Sequence, residues 1–287
     1  MADPLNPDRF VSVLRAEGVR VVEVGNWRTH NRNGRGAWGP VNGVMIHHTV
    51  TKGTAATVGI VRHGYADLPG PLCHGMIAKD GRVHLIGYGR TNHAGLGDDD
   101  VLQAVIDEER LPSDNEANTD GNRHFYGFEC ENLGDGKDPW PAAQLEAIEK
   151  VSAAICRHHG WGSGSVIGHK EWQPGKVDPR GVDMDGMRDG IGVRLGSKPK
   201  PSPPKPPARP AFPGRDAFGP GKSNASIKVL GEQLVRRGFG KHYRVGPSKS
   251  WGEADRLNVR DFQRSHKQLS GDADGYPGPL TWHILFS

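Results

Sequence analysis

Cysteine is scarce in this sequence. The three present (Cys73, Cys130 and Cys156) are an odd number without C-x-x-C spacing, which excludes a disulfide framework and a zinc finger as organising devices. Aromatic residues make up only 7% and apolar residues 35%, and no apolar run approaches the roughly 18 residues that a membrane span needs. No basic stretch leading into an apolar one opens the sequence, so no secretory signal peptide is expected. Glycine (41) and proline (22) are plentiful instead. That makes a polar, loop-rich chain, yet Val, Ile, Leu and Trp fall in periodic clusters, so it reads as globular rather than disordered. At about 150 residues per domain, 287 residues suggest two domains.

The formal charge of +4 hides an asymmetry. Residues 1–193 carry 20 Lys and Arg against 26 Asp and Glu; residues 194–211 carry five basic residues and no acid; residues 212–287 carry 12 basic against seven acidic. An acidic first part joined to a basic tail implies that the tail is attracted to a polyanion. The boundary lies in KPKPSPPKPPARPAFP, where eight of 16 residues are proline. Such a run favours extended polyproline geometry, and its like charges open it further. A proline-rich ligand for a partner is the rival reading, and the position between two globular patterns favours a spacer. The expected division is therefore residues 1–193, a linker over 194–213, and a small domain over 214–287.

Before the linker the patterns alternate. VNGVMIHHT (41–49) reads as a short buried strand, and 54–66 as a helix with Thr54 as its N-cap and Gly64 near its end. Residues 74–78 and 83–87 flank KDGR, a hairpin signal because Asp-Gly tolerates positive φ. YGFECEN (126–132) is another strand. Residues 139–159 form the strongest helix pattern, with prolines near the start, an apolar stripe of Leu145, Ile148, Val151, Ser152 and Ile155, and Gly160 to end it. A last short strand covers 165–168. Strands interleaved with helices imply the α/β or α+β class, a central mixed sheet covered by helices. After the linker, helical patterns at 227–237, 253–268 and 280–286 imply a small three-helix domain.

Histidine is the abundant functional residue: 14 in all, 11 of them before the linker. His47 and His48 close a strand, and adjacent strand residues face opposite ways, so at most one of them faces a given metal. His169 follows the strand SVIG and opens the loop GHKEWQPGKVDPRG, which contains Lys176 and Asp178. Two histidines at strand ends plus a carboxylate on a Gly/Pro-shaped loop suit three zinc ligands, and three protein ligands plus water is the pattern of a catalytic zinc. Glu129 and Glu131, two apart on a strand, share a face. Read alone, such a carboxylate pair suggests a glycosidase.

The segments WGPVNGVMIHHTVT, CHGMIAKDG, NHAG, YGFECEN and IGHKEWQPGKVDPRG, in this order, resemble the zinc-dependent N-acetylmuramoyl-L-alanine amidases of the phage-lysozyme and peptidoglycan-recognition-protein superfamily. The resemblance runs from about residue 38 to 188 and is closest to endolysins of phages that infect actinobacteria. It implies a Zn2+ cofactor held by His47, His169 and Asp178, and an acid–base role for Glu129 in the motif Gly127-Phe128-Glu129. It implies that Lys176 stabilises the developing oxyanion, and that His93 and His74 contact substrate. His48 then faces away as a packed or hydrogen-bonding side chain, and neither Cys73 nor Cys130 occupies a ligand position. Many relatives carry a catalytic tyrosine just before the equivalent of His74; here that residue is Cys73, which shifts more of the mechanism onto Glu129.

FGPGK (218–222), WGEADR (251–256) and DGYPGPLTW (274–282) resemble the peptidoglycan-binding modules at the ends of cell-wall hydrolases. DADG (272–275) lacks the glutamate of an EF-hand and reads as a turn. Nothing resembles a recognition helix or an RNA-binding motif, so the basic tail implies an anionic wall rather than nucleic acid. The resemblances together imply a monomeric enzyme that stays in the host cytoplasm until release and then cuts peptidoglycan. A non-catalytic peptidoglycan-binding protein of the same fold, or a glycan-cleaving enzyme, are the alternatives.

Overall fold

The computed structural model describes residues 2–197 and 210–286. Most of the proline-rich spacer, residues 198–209, lies outside the described residues. The chain forms two compact units, Met1–Pro203 and Pro204–Ser287. No helix among the described residues is long and apolar enough to cross a membrane.

The first unit runs α1 (Pro7–Ala16), β1 (Arg20–Glu23), β2 (Gly43–His48), α2 (Thr54–His63), β3 (Gly75–Ile77), β4 (Arg82–Leu85), β5 (Leu96–Gly97), α3 (Asp99–Asp107), β6 (Thr119–Asp120), α4 (Gly121–His124), β7 (Phe125–Cys130), α5 (Ala142–His159), β8 (Val166–Gly168) and α6 (Met184–Gly196). Six strands form one mixed sheet in the order β1-β4-β3-β7-β2-β8, while β5 and β6 make a separate small ladder. Only β3–β4 is antiparallel within the large sheet. Its KDGR turn works as the Asp-Gly signal implies, with Gly81 at φ 77°. Strand β2 is buried along its whole length, as a central strand covered on both faces must be.

Alternation divides the side chains between two layers. Val44 and Ile46 of β2, Tyr126 and Phe128 of β7, and Ile77 and Val83 face the main core, where α1, α5 and α6 contribute Phe10, Leu14, Ile148, Val151, Ile155, Met187 and Ile191. Each such fully buried side chain contributes about 1.5–3 kcal/mol over leaving it exposed. The opposite face has two smaller clusters. Met45, Phe125 and Ile167 pack with α3 and Trp172; Met76, Cys73 and Ile86 pack with Val61 of α2. His47 and Glu129 lie in phase with Met45 and Phe125, so they project from this second face, at the C-terminal ends of adjacent parallel strands.

Two sequence expectations need correction. Gly53, not Thr54, is the N-cap of α2, and the Thr54 hydroxyl instead donates to Glu131 Oε2 at 2.7 Å. The linker expected from residue 194 begins later, because α6 continues to Gly196 and Arg194 Nε donates to Glu149 at 2.7 Å.

Among the described residues the second unit has three α-helices, α7 (Ala225–Arg236), α8 (Glu253–Ser265) and α9 (Pro279–Leu285). They enclose Ile227, Leu230, Leu234, Val259, Phe262, Trp282 and Leu285. The DGYPGPLTW segment is held by buried Gln263, which accepts the Gly275 N–H at 2.8 Å and donates to the Tyr276 carbonyl at 3.0 Å. Asp274 accepts the Tyr276 N–H at 2.8 Å and pairs with Arg215, so this stretch is a turn.

Candidate active site

His47 ends β2, His169 follows β8, and Asp178 sits on the loop after it. Their Nδ1, Nδ1 and Oδ2 atoms form a nearly equilateral triangle: 3.0 Å between the two nitrogens and 3.1 Å from each nitrogen to the carboxylate oxygen. A tetrahedral zinc with bonds of about 2.0–2.2 Å separates its ligand atoms by about 3.3–3.5 Å, so the triangle is close to one face of that polyhedron. The donor set fits as well. Three atoms that are all lone-pair acceptors when unprotonated cannot share one proton three ways, whereas one cation satisfies all of them. These residues form a possible metal-binding group among the described residues.

The surroundings set the charge states. Burial, with the neighbouring His169 and Lys176 adding to it, lowers His47 to about 4 against the pull of Asp178, so the imidazole is neutral and free to ligate. Burial alone would raise Asp178, but its hydrogen bonds to His169 and His47 outweigh that and hold the carboxyl far below the usual carboxylate range. Each ligand is braced from behind. His169 directs Nε2 at the Ala94 carbonyl and at Gln173 Oε1, both at 3.2 Å. The turn carrying it is fixed by Glu171, which accepts the Gly168 N–H at 2.8 Å and is gripped by Arg188. The Asp178 carbonyl accepts the Lys170 N–H at 2.7 Å. His48, on the other face of β2, accepts the Arg180 N–H at 3.0 Å, so the neighbour of the first ligand steadies the loop of the third.

Glu129 stands beside His47 in the β2–β7 register. Its side chain is half-buried, but its Oε2 atom is fully buried and has no hydrogen-bond partner. Burial, followed by the negative charge of Asp178, pushes its carboxyl up to about 8, with Lys176 working in the other direction. A carboxyl that ionises near neutrality suits proton transfer in both directions. Lys176 is exposed on the same loop as Asp178. Glu131 is a different case: its oxygens accept the Gly53 N–H at 2.8 Å and the Thr54 hydroxyl at 2.7 Å, which ties down the start of α2. With both oxygens committed and the residue 4% exposed, it cannot be the second carboxylate of a glycosidase pair.

The two residues expected to contact substrate, His74 and His93, are both buried. His74 has no exposed surface; its Nδ1 accepts the Gly127 N–H and its Nε2 donates to the Gly89 carbonyl, both at 2.9 Å. It is left with no polar atom for a ligand. His93 is 8% exposed and directs Nδ1 at His47 Nε2 at 3.0 Å, which places it behind a ligand. Cys73 is fully buried, and its thiol is pushed up by burial and by Glu129, so it supplies neither a thiolate nor a stand-in for the missing tyrosine. Asn122 was not foreseen. Its Oδ1 accepts the N–H groups of His93 and Ala94 at 2.7 and 2.9 Å, a contact across 29 residues that no local pattern announces.

The family model described as N-acetylmuramoyl-L-alanine amidase (Amidase_2) matches residues 37–181, which span half of the chain and all the residues of this site. The chain belongs to the N-acetylmuramoyl-L-alanine amidase family. No curated protein matches it. Among solved structures, a mutant endolysin from Bacillus subtilis is similar at 20% identity and TM-score 0.41, covering 61% of this chain and 99% of its own. The endolysin amidase LysCS from Clostridium intestinale gives 17% and 0.40, covering 60% and 94%. The amidase AmiD from E. coli, solved with the substrate anhydro-N-acetylmuramic acid-L-Ala-D-gamma-Glu-L-Lys, gives 15% and 0.40, covering 88% and 89%. At such scores these likenesses carry none of the assignment, which rests on the match over residues 37–181. Within this amidase family the chain is a hydrolase with a possible metal site, and the matched range contains His47, Glu129, His169 and Asp178.

Proposed function

We propose that this amidase is zinc-dependent and endolysin-like, hydrolysing the amide between N-acetylmuramic acid and L-alanine in bacterial peptidoglycan. The observation that carries the reading is the His47, His169 and Asp178 triangle with Glu129 alongside. Zinc held there would supply Lewis acidity, polarising the scissile carbonyl and acidifying water. Glu129 takes a proton from the attacking water and returns it to the departing alanine nitrogen, which balances the hydrolysis. Lys176 offsets negative charge on the carbonyl oxygen as the tetrahedral state develops. The 214–287 unit anchors the enzyme to the wall, and the enzyme acts as a monomer released from the host cytoplasm.

A digest of purified walls, assayed for free amino groups and for reducing sugars in parallel, tests the reaction. New amino termini without new reducing ends are expected. Reducing ends alone would establish the glycan-cleaving alternative, and neither product would establish a non-catalytic binder.

A further inference from the structure

We infer that the His93–Ala94 segment is a positioning clamp for both histidine ligands, in which His93 fixes the tautomer of His47. This rests on the zinc reading above. A neutral imidazole has one N–H and one bare nitrogen. If His47 presents Nδ1 to a metal, its proton must sit on Nε2, and the atom placed to receive that proton is His93 Nδ1, 3.0 Å away. The two rings meet edge to face, with centroids 5.2 Å apart at 83°. The next residue performs the same service for the other ligand, since the Ala94 carbonyl faces His169 Nε2 at 3.2 Å.

The fold fixes this segment from three sides. Asn122 Oδ1 accepts both of its backbone N–H groups, at 2.7 and 2.9 Å. The His93 ring lies against the bare backbone of Gly127: a Cβ there would fall 2.4 Å from its Cγ and Nδ1, so only glycine admits the ring. Gly127 is itself held by His74, which is pinned in turn to Gly89. His93 and His74 therefore act from behind the ligands. With both rings buried, removing the acceptor leaves the His47 Nε2–H unpaired and lets the proton settle on Nδ1, where it blocks the metal.

The test uses full-length protein with His93→Ala, His93→Phe and His93→Asn. Asparagine places an amide oxygen close to the position of Nδ1, whereas phenylalanine fills the space without an acceptor. Competition against a chromophoric chelator should show zinc held about 10–100-fold more weakly in the Ala and Phe variants, the usual cost of losing such a partner, and largely recovered in the Asn variant. Ala and Phe variants that bind zinc as tightly as the parent but show a raised KM on soluble muropeptide overturn the inference in favour of a substrate contact. A measurement on the unaltered zinc-loaded protein covers the case in which the variants do not fold. Long-range 15N–1H correlations should show His47 protonated at Nε2 and His93 bare at Nδ1; a proton on His93 Nδ1 overturns the inference. If the parent protein takes up no zinc, the zinc reading itself fails, and that outcome is distinct from zinc-binding variants.

Discussion

Glu129 and His47 are direct partners in the parallel pairing of β7 with β2, so a candidate acid–base group and a candidate metal ligand leave the same sheet face side by side. No loop has to close to bring them together. Sites carried on regular strands are held more accurately than sites carried on loops. His169 follows β8 on a turn braced by Glu171, and Asp178 and Lys176 come from the loop after it, which is tied down by Lys170 and His48.

The two glutamates should separate cleanly. Glu129→Gln is expected to keep the fold and the zinc while losing turnover about 100-fold or more, the usual contribution of general acid–base catalysis. Glu131→Gln should cost about 1–3 kcal/mol of stability by weakening the buried bonds at the start of α2, with activity per folded molecule largely retained. Thermal melts beside wall-digestion rates make the comparison. An active Glu129→Gln beside an inactive, stable Glu131→Gln would reverse the assignment.

Glu129 also gives the metal-free protein a characteristic pH dependence. Its ordinary value is 4.5, and burial beside Asp178 raises it to about 8 in the folded chain. The folded state thus binds this proton more tightly than the unfolded state does. The associated stability is fully present below about 4.5 and is lost as pH rises through about 8. His47, lowered to about 4, acts in the opposite sense: its stability is present above 6.5 and is lost as pH falls through about 4. Between pH 6.5 and 8.5 the Glu129 effect therefore dominates this pair. Metal-free protein should lose thermal stability across that window, and Glu129→Gln should lose distinctly less. Parallel curves for the two proteins would refute the assignment.

Much of the site was legible because strand-end histidines and the GKVDP loop are local patterns. The helix of 142–159 was legible too, from its apolar stripe and the glycine that ends it. Other parts were less accessible for physical reasons. His74 and His93 lie in motifs that look functional, yet their roles depend on burial and on partners 15 and 46 residues away. Glu131 looks like a twin of Glu129 on a strand, and only the approach of the α2 start, 77 residues distant, commits its oxygens. The first helix was missed although its signals are local: Asn6 caps it, Pro7 occupies its first turn, and Phe10, Val11 and Leu14 form its buried stripe.

Removing the metal should be reversible in activity and visible in stability. Dialysis against a strong chelator is expected to abolish wall lysis, and stoichiometric zinc to restore it. A ligand bound only by the folded state also raises its stability by mass action, so the melting temperature should fall on chelation and recover with zinc. Full activity in chelator, with no zinc on elemental analysis, would overturn the metal-dependent reading. His47→Ala should reproduce the chelated state and no longer respond to added zinc.

The last prediction concerns the basic tail. Residues 1–193 carry a net −6, while residues 194–211 and 212–287 each carry +5. An acidic domain gains nothing electrostatically from an anionic wall, so attraction must come from the later segments. The two units have separate hydrophobic cores, and α6 ends at Gly196, so a chain stopped after Ser197 keeps every described element of the first unit. It should fold, bind zinc and hydrolyse small soluble muropeptides at the rate of the whole protein. On intact walls it should bind more weakly, because tethering by the tail no longer raises its effective concentration. Its remaining binding should also respond less to salt, since screening acts on the charges that were removed. Sedimentation with walls across a salt series, beside turnover of a soluble fragment, reads both effects. An isolated 212–287 piece that fails to sediment, together with a 1–197 chain that binds as tightly as the full protein, would remove the tail from the anchoring role.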